Sequence, residues 1–135
     1  MTLRLLNPEA LVRPVGFSHG VTCKERGSRP VALAGQVGAG PDGAIEAPGD
    51  LVAQFGRALD NLLEVLREAD GGPEDVASLR IYTLDVAAYK AQLKELGAAY
   101  RVRFGNHYPA MALLGVRELF DEHALVEIEG VAYVD

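Results

Sequence analysis

Apolar and polar positions change rhythm several times along the chain. They alternate in GFSHGVTCK (16–24) and again in RPVALAGQV (29–37), with Gly27 and Ser28 between the two runs. This pattern predicts two strands joined by a turn, and residues 3–6 suggest a further short edge strand. From Asp50 the apolar positions recur at steps of three and four. Leu51, Phe55, Ala58, Leu59, Leu62 and Leu66 make one helix face, with Asp50 as N-cap and Gly71-Gly72-Pro73 as the stop. VASLRIYTL (76–84) returns to alternation, placing Ala77, Leu79, Ile81 and Thr83 on one face. Asp85 can cap a second helix carrying Tyr89, Leu93, Leu96, Tyr100 and Phe104 on one side. Gly105-Asn106 closes that helix, and Pro109 cannot continue one. Two strands finish the chain, at about 110–117 and 125–134.

Three strands, a helix, a strand, a helix and two strands predict a two-layer α+β domain over residues 1–135. Its sheet would be mixed and about six-stranded, with two helices on one face. The other face must then meet water or a second copy of the chain. In the last strand Val126, Ile128, Ala132 and Val134 suit the helix side. Leu125, Glu127, Glu129, Val131 and Tyr133 point the other way. Met111, Leu113, Gly115 and Leu119 extend that second face, with Arg117 as its only charge. So much apolar surface beside acidic groups predicts a subunit contact bordering a polar cleft.

Composition narrows the function classes. The 135 residues are 49% hydrophobic and 24% charged, which fits a folded globular chain. No run is long and apolar enough for a transmembrane helix, and the first residues lack a signal-peptide pattern. Cys23 is the single cysteine, which excludes an internal disulfide; a cytoplasmic setting and a small buried apolar role for this residue are expected. The net charge of −6 disfavours nucleic acid as a partner. Arg101, Arg103 and His107 are the most basic stretch, and the end of a helix is a sufficient reason for it. The three histidines have no metal-site spacing, and GQVGAG (35–40) lacks the Lys-Ser/Thr of a phosphate loop.

Several pieces together resemble the Rid family, also called YjgF-type. They are Ala34-Gly35-Gln36, Leu59-Asp60-Asn61-Leu62, Asp75-Val76, Ile81-Tyr82-Thr83-Leu84-Asp85, Pro109-Ala110 and Val126-Glu127-Ile128-Glu129, spanning about residues 7–134. The resemblance implies a chorismate-mutase-like fold and a homotrimer with clefts between subunits. It also implies hydrolysis of small enamines or imines such as 2-aminoacrylate, with no metal or organic cofactor. Carried over residue by residue, it makes Glu127 the water-positioning catalytic group. Phe17, His19, Ala34, Gly35, Gln36, Gly97 and Met111 would then line the substrate cleft.

Four of these positions depart from the family pattern. Met111 stands where relatives carry a carboxylate-gripping arginine, and a thioether cannot donate a hydrogen bond. Phe17 replaces a tyrosine, Ala34 a serine and Gly97 an asparagine. Arg117 lies six residues from Met111, roughly 20 Å along a strand, so a substitute arginine (Arg117, Arg80 or Arg13) would have to come from a neighbouring subunit.

Each candidate also has a plainer reading. Glu127 could be a base in an apolar cleft or an interface carboxylate paired with a neighbour's arginine. Glu129 reads as solvated or structurally paired, His19 as a hydrogen-bonded structural histidine, and His107 and His123 as solvated turn residues. Met111 either lines a ligand pocket or fills the trimer contact. Two functions stay open: a hydrolase with an atypical pocket, or a non-catalytic trimer that binds a metabolite or protein. Ribonuclease activity, sometimes assigned to relatives, has no His pair or Lys cluster to carry it here.

Overall fold

A computed structural model describes residues 3–15, 18–23 and 27–135. The strands are β1 (Leu3–Leu6), β2 (Gly20–Cys23), β3 (Arg29–Gln36), β4 (Val76–Thr83), β5 (Ala110–Gly115) and β6 (Val126–Val134). The helices are α1 (Leu51–Glu68), α2 (Val86–Ala91) and α3 (Leu93–Phe104). One mixed sheet runs β1-β2-β3-β6-β4-β5, in which, among the described residues, β4 and β5 pair parallel and the other neighbours antiparallel. The fold is the expected two-layer α+β arrangement, with three helices where two were predicted.

The helix starts follow the sequence. Asp50 and Asp85 each accept a backbone hydrogen bond at 3.0 Å, from Ala53 and Ala88, satisfying donors that a helix start leaves open. The six predicted apolar residues of α1 are all buried, packed with Val31, Leu33, Val126 and Ile128 of the sheet. The stop of α1 comes earlier than the Gly-Gly-Pro signal. Asp70 takes the left-handed conformation at φ 63°, and the Gly71 amide bonds back to the Leu66 carbonyl.

The second helix does not run unbroken. It divides at Gln92, and Leu93, expected in the core, stands exposed. Tyr89, Leu96, Tyr100 and Phe104 keep their buried positions. Tyr100 stacks on Phe104 and on Tyr108, and donates to the His107 carbonyl at 2.6 Å. Burial, with the neighbouring Tyr108, pushes the Tyr100 hydroxyl up to about 12. Arg103 clamps α3 to α1 through two hydrogen bonds to the Asp60 carboxylate. His107 is half-buried with Nε2 2.8 Å from the Val76 carbonyl, so it is a structural tie instead of a solvated turn residue.

Two bulges set which residues face the helices, and the one in β4 corrects a face assignment. In β4 the pairing with β6 shifts between Val76 and Ser78, which puts Val76 and Leu79 both inside and turns Ala77 outward. In β3 it shifts between Leu33 and Gln36, so Gln36 instead of Gly35 points to the helix side.

The register of β5 corrects a second assignment. Met111 and Leu113 lie level with Leu79 and Ile81, hence on the helix side, while Ala112 and Leu114 share the open face with Arg80 and Tyr82. All six residues of β5 are exposed, although Val86 of α2 stands against Gly115 at its end. Leu119 leaves that strand altogether and packs against Ala39, Ile45 and Ala124.

Candidate functional site

A cavity of about 810 Å³ lies where β3 ends and β6 begins. The β3 bulge builds its floor. Glu127 points to the open face of the sheet, and its carboxylate lies directly against the Cα of Gly35. Any side chain at 35 would collide with that carboxylate, so glycine is required for Glu127 to sit there. Burial raises the Glu127 pKa above its ordinary value, and the nearby Glu129 adds to the rise.

Three neighbours of Glu127 are fixed by their own bonds. Gln36 Nε2 donates to His19 Nδ1 at 2.9 Å, and an amide nitrogen can only donate. His19 Nε2 therefore carries the ring proton and donates to the Val12 carbonyl at 2.7 Å. The His19 amide donates to Asn7 Oδ1. This buried pair is a brace between β3 and the segment 7–15, as the plainer reading of His19 had it. Glu129 is structurally engaged as well. Tyr82 donates to it at 2.6 Å, and Arg80 stands 3.6 Å away. That hydrogen bond leads the causes that raise the Tyr82 pKa.

The cavity gathers His19, Ala34, Gly35, Gln36 and Glu127 from the predicted set. Met111, on the edge strand β5, and Gly97, on α3, lie outside it. Phe17 falls outside the described residues, as does the side chain of Cys23.

The chain also brings in residues that the pattern did not single out for the site. Arg13, sought only from a neighbouring subunit, lines this cavity within the same chain. Phe120 and Val15 stand exposed at its rim. Asn61 donates to the Val37 and Ala39 carbonyls, holding the loop that forms one wall. Gln54 bonds the Ala47 and His123 carbonyls and the Leu125 amide, tying down the loop that carries Phe120 and Asp121. The sequence held a signal for these two. Both are polar residues on the apolar face of α1, where a buried amide must find partners.

The remaining lining is mostly aliphatic, with Asp121 as the second carboxylate. Such a site can hold a small molecule with an apolar body and offer it a proton-exchanging carboxyl group. Among the described residues no group of three or more His, Cys, Asp or Glu gathers as a metal ion requires, and no helix is long and apolar enough to cross a membrane.

Comparison with known proteins agrees with this architecture. The family model described as endoribonuclease L-PSP matches residues 9–134. The RutC family protein UK114 of Drosophila melanogaster is 32% identical over 104 residues, covering 77% of this chain and 72% of its own. A solved structure from Entamoeba histolytica, described as an endoribonuclease L-PSP, is 25% identical with a TM-score of 0.83, covering 98% of this chain and all of that one. A conserved Rid family protein from Yersinia pestis has the same fold, at 22% identity, a TM-score of 0.82 and the same coverage. With the Ala34-Gly35-Gln36 bulge set against Glu127 on this sheet, the chain belongs to the endoribonuclease L-PSP family, the YjgF-type or Rid family.

Proposed function

We propose that this chain is a homotrimeric Rid-type hydrolase acting on a small imine, enamine or related metabolite, with Glu127 as the group that directs water. The observation that carries the reading is the half-buried Glu127 carboxyl, raised in pKa by burial and set against Gly35 in an apolar cavity. In the reaction water adds to the carbon of the C=N bond, and the carbinolamine then expels ammonia to leave a carbonyl. Glu127 takes the proton from water and returns it to the departing nitrogen, a role best filled by a group whose pKa lies near working pH.

The trimer is supported by β5. An apolar edge strand exposed along its whole length is a surface that a second copy would cover. That contact would also bring Met111 toward a neighbour's cavity. Met111 offers no donor to a substrate carboxylate, so turnover of 2-aminoacrylate should fall at least about a hundredfold below that of an arginine-bearing relative.

The test is a coupled assay that generates 2-aminoacrylate and bulkier imines in place. Glu127→Gln should lower hydrolysis of the accepted imine by about 10²–10⁴-fold. Equal rates for wild type and variant would remove Glu127 from the mechanism. A second reading, a trimer that binds a metabolite without turning it over, is favoured by one observation. His19 and Gln36 are committed to structural bonds, which leaves few free polar groups for chemistry. The word endoribonuclease belongs to the family description. A net charge of −6 and a cavity with one guanidinium do not favour an RNA backbone.

A further inference from the structure

We infer that Glu129 is a positioning residue for Glu127: Tyr82 and Arg80 fix its carboxylate on the sheet face that both glutamates share, and its charge keeps the Glu127 carboxyl able to carry a proton. The inference rests on the reading of Glu127 as the group that directs water.

The register of the sheet sets up the pair. Glu127 and Glu129 are two residues apart on β6, so their side chains leave the same face about 7 Å from each other. On β4, Tyr82 stands directly across from Glu127, and Arg80 directly across from Glu129.

Tyr82 does not serve the residue it faces. Its hydroxyl reaches along the diagonal and donates to Glu129 Oε1 at 2.6 Å, and Arg80 Nη1 stands 3.6 Å from the same oxygen. Among the described residues no donor or cation is bonded to Glu127. One glutamate therefore holds both the hydroxyl and the guanidinium, and its neighbour on the strand is left with neither.

That division gives the two carboxyls different work. Burial disfavours the ionised form of Glu127, and the charge of Glu129 acts in the same direction. A group that takes a proton from water and returns it to nitrogen works best with a pKa near working pH. A hydrogen bond from Tyr82 to Glu127 would favour the anion and oppose this, so the diagonal bond matters. The other titratable groups around the site are Arg13, His19 and Asp121 of the cavity lining, and Tyr133 further along β6. His19 is committed to Gln36 and Val12.

The test follows the Glu127 carboxyl carbon by NMR through a pH titration of protein carrying isotope-labelled glutamate, its signal identified by loss in Glu127→Gln. Glu129→Gln keeps an acceptor for Tyr82 and removes only the charge, so the Glu127 midpoint should move to lower pH. Arg80→Gln strips the counter-charge from Glu129, so the midpoint should move to higher pH. Both shifts should shrink as salt is raised, because salt screens these charges. Imine turnover by Glu129→Gln should stay within about tenfold of wild type with its pH profile moved to the acid side, whereas loss of the proton-transferring group itself costs about 10²–10⁴-fold. A Glu127 midpoint that Glu129→Gln leaves in place, or that both variants move the same way, would sink the role of Glu129 alone. Wild-type turnover in Glu127→Gln would overturn the reading of Glu127 and this inference together, whatever the titrations show.

Discussion

The two regions that matter most to function sit in one sheet and are finished to different degrees. Around the β3–β6 junction the brace His19–Gln36, the clamps Gln54 and Asn61, and the Gly35–Glu127 contact fix the cavity from within a single chain. At the other end β5 presents Met111, Leu113 and Leu114 to solvent. The difference separates two jobs. The cavity needs no second copy to hold its shape, whereas β5 is an apolar surface that makes sense only when covered.

Substitutions should break this contrast in graded ways. The largest effect is expected at β5. Leu113→Glu with Leu114→Glu should convert a particle of three times 14.4 kDa into one of 14.4 kDa by light scattering, with the circular dichroism spectrum retained. A trimer that survives both charges would show that β5 is not the contact. Next comes the core beneath the cavity. Ile128, fully buried in β6, should cost about 2–5 kcal/mol when cut to alanine, read by urea unfolding at fixed protein concentration. Met111→Ala in the dissociated double variant should change unfolding by less than about 0.5 kcal/mol.

A subtler contrast is electrostatic. The folded pKa of Glu127 lies above the unfolded value, so the folded state binds the extra proton and stability falls as pH rises through that window. Glu127→Gln removes this term. The variant should gain on the wild type as pH climbs above about 4.5, the ordinary glutamate value, and the difference between the two proteins should stop changing below it. A constant difference from pH 4 to 8 would mean that the burial of this carboxyl is without consequence. Another small effect is a control away from both regions. Asp70 holds a left-handed backbone at the end of α1, so Asp70→Gly should stabilise by about 0.5–1 kcal/mol in the same unfolding assay.

What was legible in the sequence follows from how far each signal reaches. Alternation and helical spacing are local, and they located six strands, both helix caps and the inner face of β6. The bulges were not legible, because an extra residue in β3 or β4 is defined only against the partner strand. That is why Ala77 was placed on one face with Leu79, and the register of β5 against β4, equally a matter of the partner strand, is why Met111 was placed on the open face. The break at Gln92 was hidden by apolar residues that keep the helical step on both sides of it. Glu127, Gly35 and Gln36 were singled out because their motif pieces are contiguous, and His19 because it lies near Phe17 in a strand expected to border the cleft. Arg13 was passed over as a site residue within its own chain. Its place depends on a histidine six residues later reaching back to Val12.

The central claim is that the Glu127 carboxyl, at the position Gly35 allows, is the working group of the cavity. Gly35→Ala tests it most directly, since this change keeps every ionisable group and displaces only the end of a flexible side chain. The measurement is ammonia release from an imine generated in place from leucine, at matched particle mass and unfolding midpoint. The account predicts that wild type turns over the imine and that Gly35→Ala loses at least about tenfold, approaching the Glu127→Gln rate. Full activity in Gly35→Ala, or no turnover by wild type, would contradict it.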